Sequence, residues 1–297
     1  MRKLNLGILM GGKSAEHEVS LATGKNIIKS LNKKKYNIWP VKITKENQWT
    51  LKGRTLPIDK IAQKIDIAFI ALHGEYGEDG TIQGLCESLG LPYTGSGVLA
   101  SALGMDKSRS RELFKTNGLL VPRDEVLSKG ETGQSVWQKL SPPWVIKPNS
   151  RGSSVGISIV KNKKDLAKAI KDAFQYDQRI IIEEYLDGLE ITCGVLDNFK
   201  GKPAFTLPIT EICPAKKYQF FNYEAKYKKG ATEEITPARI SRKATGQAQE
   251  IALKAYQILG CQGYSRADMI KVGQQIYLLE VNTLPGMTEN SLYPRAA

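Results

Sequence analysis

Three apolar runs near the N-terminus, LNLGILM at 4–10, NIWPVKI at 37–43 and IDIAFIAL at 65–72, set the strongest limit on the fold. They are short for helices and too continuously apolar for strands with one wet face, so they read as strands buried on both faces, the mark of a parallel sheet covered by helices. EVSLATGKNIIKSL at 18–31 follows the first run with apolar residues at helical spacing. Alternation of this kind predicts a parallel α/β layer. Helical patterns over roughly 97–117 then lead into WVIKP, GISIV and RIIIEEYL, strand-like segments around a helix whose Leu166, Ile170, Ala173 and Phe174 share one face. From about 188, ITCGVL, PAFTLPI and YLLEVN surround a polar stretch at 214–237 and a helix near 242–259. The expected fold class is mixed α/β (α/β with α+β parts), in three units at 1–96, 97–187 and 188–297.

At 297 residues with 41% hydrophobic content the chain can bury a sizeable core. The basic, apolar start MRKLNLGILMGG is interrupted by Asn5 and Gly7 and is not followed by a small-residue cleavage site, so no signal peptide is expected. Its apolar runs fall short of the roughly 18 residues of a membrane helix, so no membrane partner is expected. Cys86, Cys193, Cys213 and Cys261 are scattered, without the spacing of a disulfide framework or a zinc site, which fits a reducing cytoplasm. The formal charge of +13 is compatible with nucleic acid, a membrane surface or an anionic small substrate. The lysine pairs are dispersed and no aromatic nucleic-acid motif accompanies them, so a solvated surface is expected and nucleic acid is not.

Two segments imitate nucleotide loops. GILMGGKS at 7–14 satisfies G-x-x-x-x-G-K-[ST], yet Ile8, Leu9 and Met10 occupy its loop positions and read as the strand itself. GSGVLA at 95–100 fits G-x-G-x-x-[GA] without a good strand before it or a well-placed acidic partner after it. Both matches are expected to be fortuitous.

SRADMIKVGQQIYLLEVNT at 265–283 is more informative. Arg266 and Asp268 stand two apart on one apparent strand, and Glu280 and Asn282 two apart on the next, so each pair shares a face. Across a hairpin, three oxygen ligands and a cation would converge, as needed to hold a hard Mg²⁺ ion against phosphate oxygens. The plain alternative is a polar face with cross-strand ion pairing. VNTLPGM then places Gly286 after Pro285, a turn able to offer a bare N–H to developing negative charge.

GGKSAEHEVS at 11–20 and HGEYGEDGTIQG at 73–84 each follow an apolar strand, where ligands of parallel α/β sheets usually bind. Ser14 serves equally as a helix cap and Glu16 as a charge at the helix N-terminus. His73 at such a strand end is either structural or functional. KPNSRGSSVGIS at 147–158 is a glycine and serine run between strands, either a plain surface hairpin or a segment that exposes backbone N–H groups to an anion beside Lys147.

Taken together, GGKSAEHEVS, HGEYGEDGTIQG, MDKSRSR, KPNSRGSSVG, EAKY and SRADMI…LLEVNTLPGMT resemble the D-alanine–D-alanine ligases, ATP-grasp enzymes of cell-wall synthesis, over essentially the whole chain. The resemblance implies an ATP-grasp fold with a parallel α/β N-terminal domain, and ATP held between the central and C-terminal domains. It implies that Lys107 and Lys147 touch ATP phosphates under a flap at 149–156 that includes Ser154, with Glu183, Tyr185 and Leu186 around adenine and Glu190 on ribose. Asp268, Glu280 and Asn282 would hold Mg²⁺, two ions, with Mn²⁺ able to substitute. Glu16 would bind the first D-alanine's ammonium with His73 nearby, and Ser291 and Leu292 the second carboxylate. Ser153, Tyr227 and Glu16 would join flap, C-terminal loop and N-terminal domain on closure, with Lys226 near the transferred phosphoryl group.

In the reaction so implied, a D-alanine carboxylate attacks the γ-phosphate, a second D-alanine's amine attacks the acyl phosphate, and Arg266 with the Gly286 N–H stabilises the oxyanion. Lys226 and Tyr227 match the type that forms a peptide rather than a D-lactate ester. A homodimer is expected. Asn149 and Ser150-Arg151 depart from the commoner SREGSSVG, and Tyr185 stands where some relatives carry tryptophan; relatives usually continue through another amphipathic helix beyond YPRAA. Three other readings make different demands: another ATP-grasp carboxylate–amine ligase would keep the nucleotide site and change substrate, a basic nucleic-acid-binding protein would bind oligonucleotides salt-sensitively without ATP turnover, and a P-loop kinase would need Lys13.

Overall fold

The computed structural model describes residues 2–152, 155–199, 201–214 and 232–297. In the first unit, strands β1 (Leu4–Gly11), β2 (Tyr36–Ile43), β3 (Trp49–Leu51), β4 (Arg54–Thr55) and β5 (Ile67–Ile70) form a sheet in the order β4-β3-β2-β1-β5, with helices α1 (His17–Ser30), α2 (Ile58–Ala62) and α3 (Thr81–Ser88) between and after them. β1 runs parallel to both neighbours, Leu6 facing Ile38 on one side and Ile67 on the other. Its last six residues are all buried, as a strand covered on both faces must be. The parallel expectation holds for β2-β1-β5 and not for the edge, where β3 and β4 add antiparallel strands. The corrected description is a mixed sheet, because the few residues separating β2, β3 and β4 allow hairpin turns and leave no room for a crossover helix.

Helices α4 (Val98–Met105) and α5 (Lys107–Thr116) lead into a four-stranded sheet ordered β6-β9-β7-β8, made of β6 (Asp124–Ser128), β7 (Trp144–Pro148), β8 (Ser158–Val160) and β9 (Arg179–Glu184). A short helix α6 (Val136–Lys139) and α7 (Lys163–Ala173) accompany it, and α7 turns Leu166, Ala169, Ile170 and Ala173 onto the sheet core. Asp106 caps α5 by accepting the Arg109 N–H at 3.1 Å. Phe114, Leu119 and Val121 do not join this core; they pack with the sheet that follows.

That last sheet holds β10 (Leu189–Phe199), β11 (Lys202–Thr206), β12 (Thr210–Pro214), β13 (Thr232–Ile235), β14 (Tyr264–Val272) and β15 (Gln275–Asn282), in the order β13-β12-β10-β14-β15 with β11 also paired to β10. Helix α8 (Arg242–Leu259) covers it through an alanine face, Ala244, Ala248, Ala252 and Ala255, which lets the helix lie close. Ser241 caps α8 by accepting the Ala244 N–H at 3.2 Å, and Gly260 ends it at φ 69°. A short C-terminal helix, α9 (Leu292–Ala296), completes the described chain. Tyr264, Leu284 and Tyr293 pack into the same core as the first sheet, so the first and last units share buried surface.

Candidate active site: two clefts joined at one seam

The look-alike loop is strand over 7–11: Ile8, Leu9 and Met10 lie inside β1 and are buried, and the chain turns only at Gly11 and Gly12, with φ of 98° and 88°. Lys13 lies 5.3 Å from the centre of the Tyr76 ring, as a surface cation over an aromatic.

The hairpin of β14 and β15 brings its polar residues into register, with Arg266 opposite Asn282 and Asp268 opposite Glu280, followed by a bulge. Period two on both strands puts all four on one face. Arg266 grips Asp268 with two hydrogen bonds of 2.7 Å, Nε to Oδ1 and Nη2 to Oδ2, and Thr192 Oγ1 donates to Oδ1 at 2.7 Å. Burial opposes the charge on Arg266, but Asp268 and the more distant Glu280 and Glu78 outweigh it and raise its pKa above the usual arginine value. The Asn282 side-chain carbonyl is buried with no hydrogen-bond partner among the described residues. That orphaned oxygen, beside the carboxylates of Asp268 and Glu280, is a donor set suited to a hard divalent cation. Among the described residues no group of three His, Cys, Asp or Glu side chains is gathered, so this set of two carboxylates and an amide would rely on substrate oxygens to complete a cation's shell.

Two clefts meet at this hairpin. One, of about 460 Å³, is lined by Glu16 and His73 from the first unit and by Arg266, Asn282, Gly286, Ser291 and Leu292 from the last. The other, of about 140 Å³, is lined by Lys147, Glu183, Tyr185, Leu186, Glu190 and Asp268. Lys107, Gly152 and Glu280 line both. Lys107 Nζ lies 3.2 Å from Glu280 Oε2 and donates to the Arg151 carbonyl at 2.7 Å, so one ammonium ties the 149–152 segment to the hairpin.

In the smaller cleft, Lys147 and Glu183 form an ion pair of 2.9 Å, and Arg111 Nη2 lies 2.5 Å from the other Glu183 oxygen. All three are nearly or wholly buried. Burial alone would raise the pKa of Glu183, but Arg111 and Lys147 reverse that and hold it below the usual carboxylate value. Burial, with the charge of Arg111, pulls Lys147 below the usual lysine value despite Glu183. Sequence reasoning passed over Arg111, although the signal was present: it lies one helical turn after Lys107 in MDKSRSR and so shares its face.

In the larger cleft, His73 is buried, with Nε2 2.8 Å from Thr23 Oγ1 and Nδ1 3.4 Å from Glu78 Oε1. Ser14 Oγ donates to the His73 carbonyl at 2.6 Å and accepts the Glu16 N–H at 3.2 Å, which binds the two loops after β1 and β5 together. A Cβ on Gly152 would come 3.3 Å from Glu16 Oε2 and one on Gly74 only 2.8 Å, so Glu16 is packed against backbone from both loops. A Cβ on Gly286 would come 3.0 Å from Ser291 Oγ, which itself accepts the Thr288 N–H at 2.9 Å.

The stretch after Lys147 is held from three sides. Asn149 is wholly buried, accepting the Ser108 N–H at 2.9 Å and donating to Asp106 at 2.9 Å. The Ser150 N–H donates to Asp177 at 2.6 Å, Arg151 Nε donates to the Tyr176 carbonyl at 2.8 Å, and Arg151 forms an ion pair with Glu75 of the first unit. Ser153 and Ser154 of the flap, and Lys226 and Tyr227 of the C-terminal loop, lie outside the described residues.

A mixed α/β chain with a cleft between two antiparallel sheets has the ATP-grasp architecture, and solved structures agree over nearly the whole chain. The VanG D-Ala:D-Ser ligase from Enterococcus faecalis superposes with a TM-score of 0.86 at 32% identity, covering 99% of this chain and 94% of that one. The D-alanine–D-alanine ligase from Bacillus anthracis complexed with ATP gives 0.83 at 37% identity, covering 99% and 90%. In sequence, the D-alanine–D-alanine ligase of Syntrophobacter fumaroxidans is 48% identical over 99% of this chain and 92% of its own length. That of Geobacter sulfurreducens is 43% identical over 100% and 89%. The family model for the D-ala D-ala ligase N-terminus matches residues 5–64 and 53–96, and the one for the D-ala D-ala ligase C-terminus matches 113–297. The chain belongs to the D-alanine–D-alanine ligase family.

Proposed function

We propose that this protein joins two D-alanine molecules into D-alanyl-D-alanine at the expense of ATP, releasing ADP and phosphate, as a step of peptidoglycan precursor synthesis. The observation that carries the reading is the seam: Lys107, Gly152 and Glu280 line both clefts, so a nucleotide in one and an amino acid in the other would meet at their side chains. The three-domain division at 1–96, 97–187 and 188–297 belongs to the same reading, with ATP between the second and third.

In this account Tyr185 and Leu186 flank adenine and Glu190 takes the ribose. Lys147 and Lys107 neutralise the phosphates, and Ser154 of the flap donates a hydrogen bond to ATP. Asp268, Glu280 and Asn282 would hold Mg²⁺, which when bound supplies charge neutralisation at phosphate oxygens; Mn²⁺ would fit the same oxygen set. Glu16 pairs with the ammonium of the first D-alanine and His73 supports that loop, holding the carboxylate in line with the γ-phosphate. The resulting D-alanyl phosphate is attacked by the amine of the second D-alanine, whose carboxylate sits at Ser291 and Leu292. Arg266 and the Gly286 N–H receive the negative charge of the tetrahedral oxyanion. Arg266 comes to that task already fixed by Asp268, so little reorganisation accompanies the reaction. Ser153, Lys226 and Tyr227 complete the closed site, and the last two favour an amide product.

The same reading includes a cytoplasmic homodimer. All four cysteines are free, and among the described residues no helix is long and apolar enough to cross a membrane. The deciding experiment supplies purified protein with ATP, Mg²⁺ and either D-alanine, D-serine, D-lactate or L-alanine, reading ADP by a coupled assay and product by mass spectrometry. ADP and dipeptide with D-alanine are expected; absence of both overturns the reading, and preference for another acceptor reassigns the substrate.

A further inference from the structure

The larger cleft contains a carboxylate that none of the roles above uses. Glu234 projects from β13 into the space lined by Arg266, Gly286, Ser291 and Leu292. Its side chain is only 13% exposed, and behind it Arg295 of α9 forms an ion pair with it. Arg295 itself does not line the cleft, and α9 is the helix that begins immediately after Ser291. Burial pushes the Glu234 carboxyl up from its usual value, and Arg295 behind it and Arg266 across the cleft oppose that without cancelling it. A substrate with a cation of its own satisfies the side that faces the cavity, whereas one carrying only a carboxylate meets repulsion.

We propose that Glu234 is a specificity-determining residue for the second substrate, favouring an α-amino acid, whose ammonium it faces, over an α-hydroxy acid of the same shape. The assignment rests on the ligase reading above. An amino acid arrives as a zwitterion: Ser291 and its surroundings take the carboxylate, and Glu234 attracts the cationic end. A hydroxy acid brings the same carboxylate and no cation, so Glu234, whose charge is opposed by burial and offset only in part by Arg295 and Arg266, gains no partner from it. Specificity then comes as much from rejection as from attraction.

The test compares wild type with Glu234→Gln and Glu234→Asp, with D-alanine alone and with D-alanine competing against D-lactate for the second site. In Glu234→Gln the KM for the second D-alanine is expected to rise about tenfold, equivalent to ~1.4 kcal/mol. The dipeptide-to-ester ratio falls, while the KM for ATP, the KM for the first D-alanine and the melting temperature hold. Glu234→Asp restores most of the preference. A working wild type whose second-site KM and product ratio are both unchanged by Glu234→Gln overturns the assignment alone. Equal losses at both D-alanine sites and at ATP overturn it too, since they indicate a structural role. A wild type that forms no dipeptide overturns the ligase reading and this assignment with it.

Discussion

Glu183 shows how a single residue can hold a site together electrostatically. It is shared by two buried cations, Arg111 and Lys147, so its removal strips Lys147 of its ion pair and leaves Arg111 paired with only Asp124, at 3.5 Å. Glu183→Ala is therefore expected to cost about 3–5 kcal/mol, read by chemical denaturation. Because its folded pKa lies below the unfolded one, this contribution is complete above the unfolded value and fades as pH falls through the folded value. Glu211 follows the same sign: hydrogen bonds from the Arg239 side chain bring its pKa down to about 2, outweighing burial. Acid titration of stability should steepen below about pH 4.5, its ordinary value, and Glu211→Gln should flatten that slope. At the seam, Arg266→Ala is expected to lower kcat by about 10²–10³, the loss typical of one oxyanion donor. Lys13→Ala, by contrast, should change activity little, since Lys13 stands over Tyr76 away from both clefts.

The β14–β15 hairpin could be located from sequence because strand period is two: given the letters R-x-D and E-x-N, only register remained open, and the observed pairing supplies it. The loop of Lys147 was legible as glycine-rich but not as anchored, because its fixings are long-range: Asn149 to Asp106, Ser150 to Asp177 and Arg151 to Glu75. The last of these joins the flap to the first unit, so Arg151→Glu should slow turnover several-fold by repelling Glu75 and weakening closure. The double variant Arg151→Glu with Glu75→Arg should recover much of it, and steady-state kinetics of the four proteins checks this. Helix α4 meets β15 through Gly104, where an added Cβ would lie 2.8 Å from Thr283 Cγ2, beside the Asn282 that faces the cleft. Gly104→Val is expected to cost about 1–3 kcal/mol by overpacking and to raise the KM for D-alanine, since the displaced strand carries site residues.

At the level of the whole molecule, the clefts exist only because three separately wound sheets meet, so ligand binding should stabilise the assembly against unfolding. ATP with Mg²⁺ at about 100 times its Kd should add about 2.7 kcal/mol and raise the melting temperature, measured by scanning fluorimetry; D-alanine added to the complex should raise it further. The letters alone determined the local periods, and with them the buried parallel strands, the amphipathic α7 and the paired alternate residues near the C-terminus, because side-chain direction repeats every two or 3.6 residues whatever surrounds it. They could not determine that β3 and β4 would add an antiparallel edge, that Phe114 and its neighbours would pack with the last sheet, or that Arg111 would sit buried against Glu183. The edge strands, of three and two residues, are too short to show a period; the other two outcomes depend on contacts between residues far apart in the chain, whose energies exist only once burial has removed water from between them.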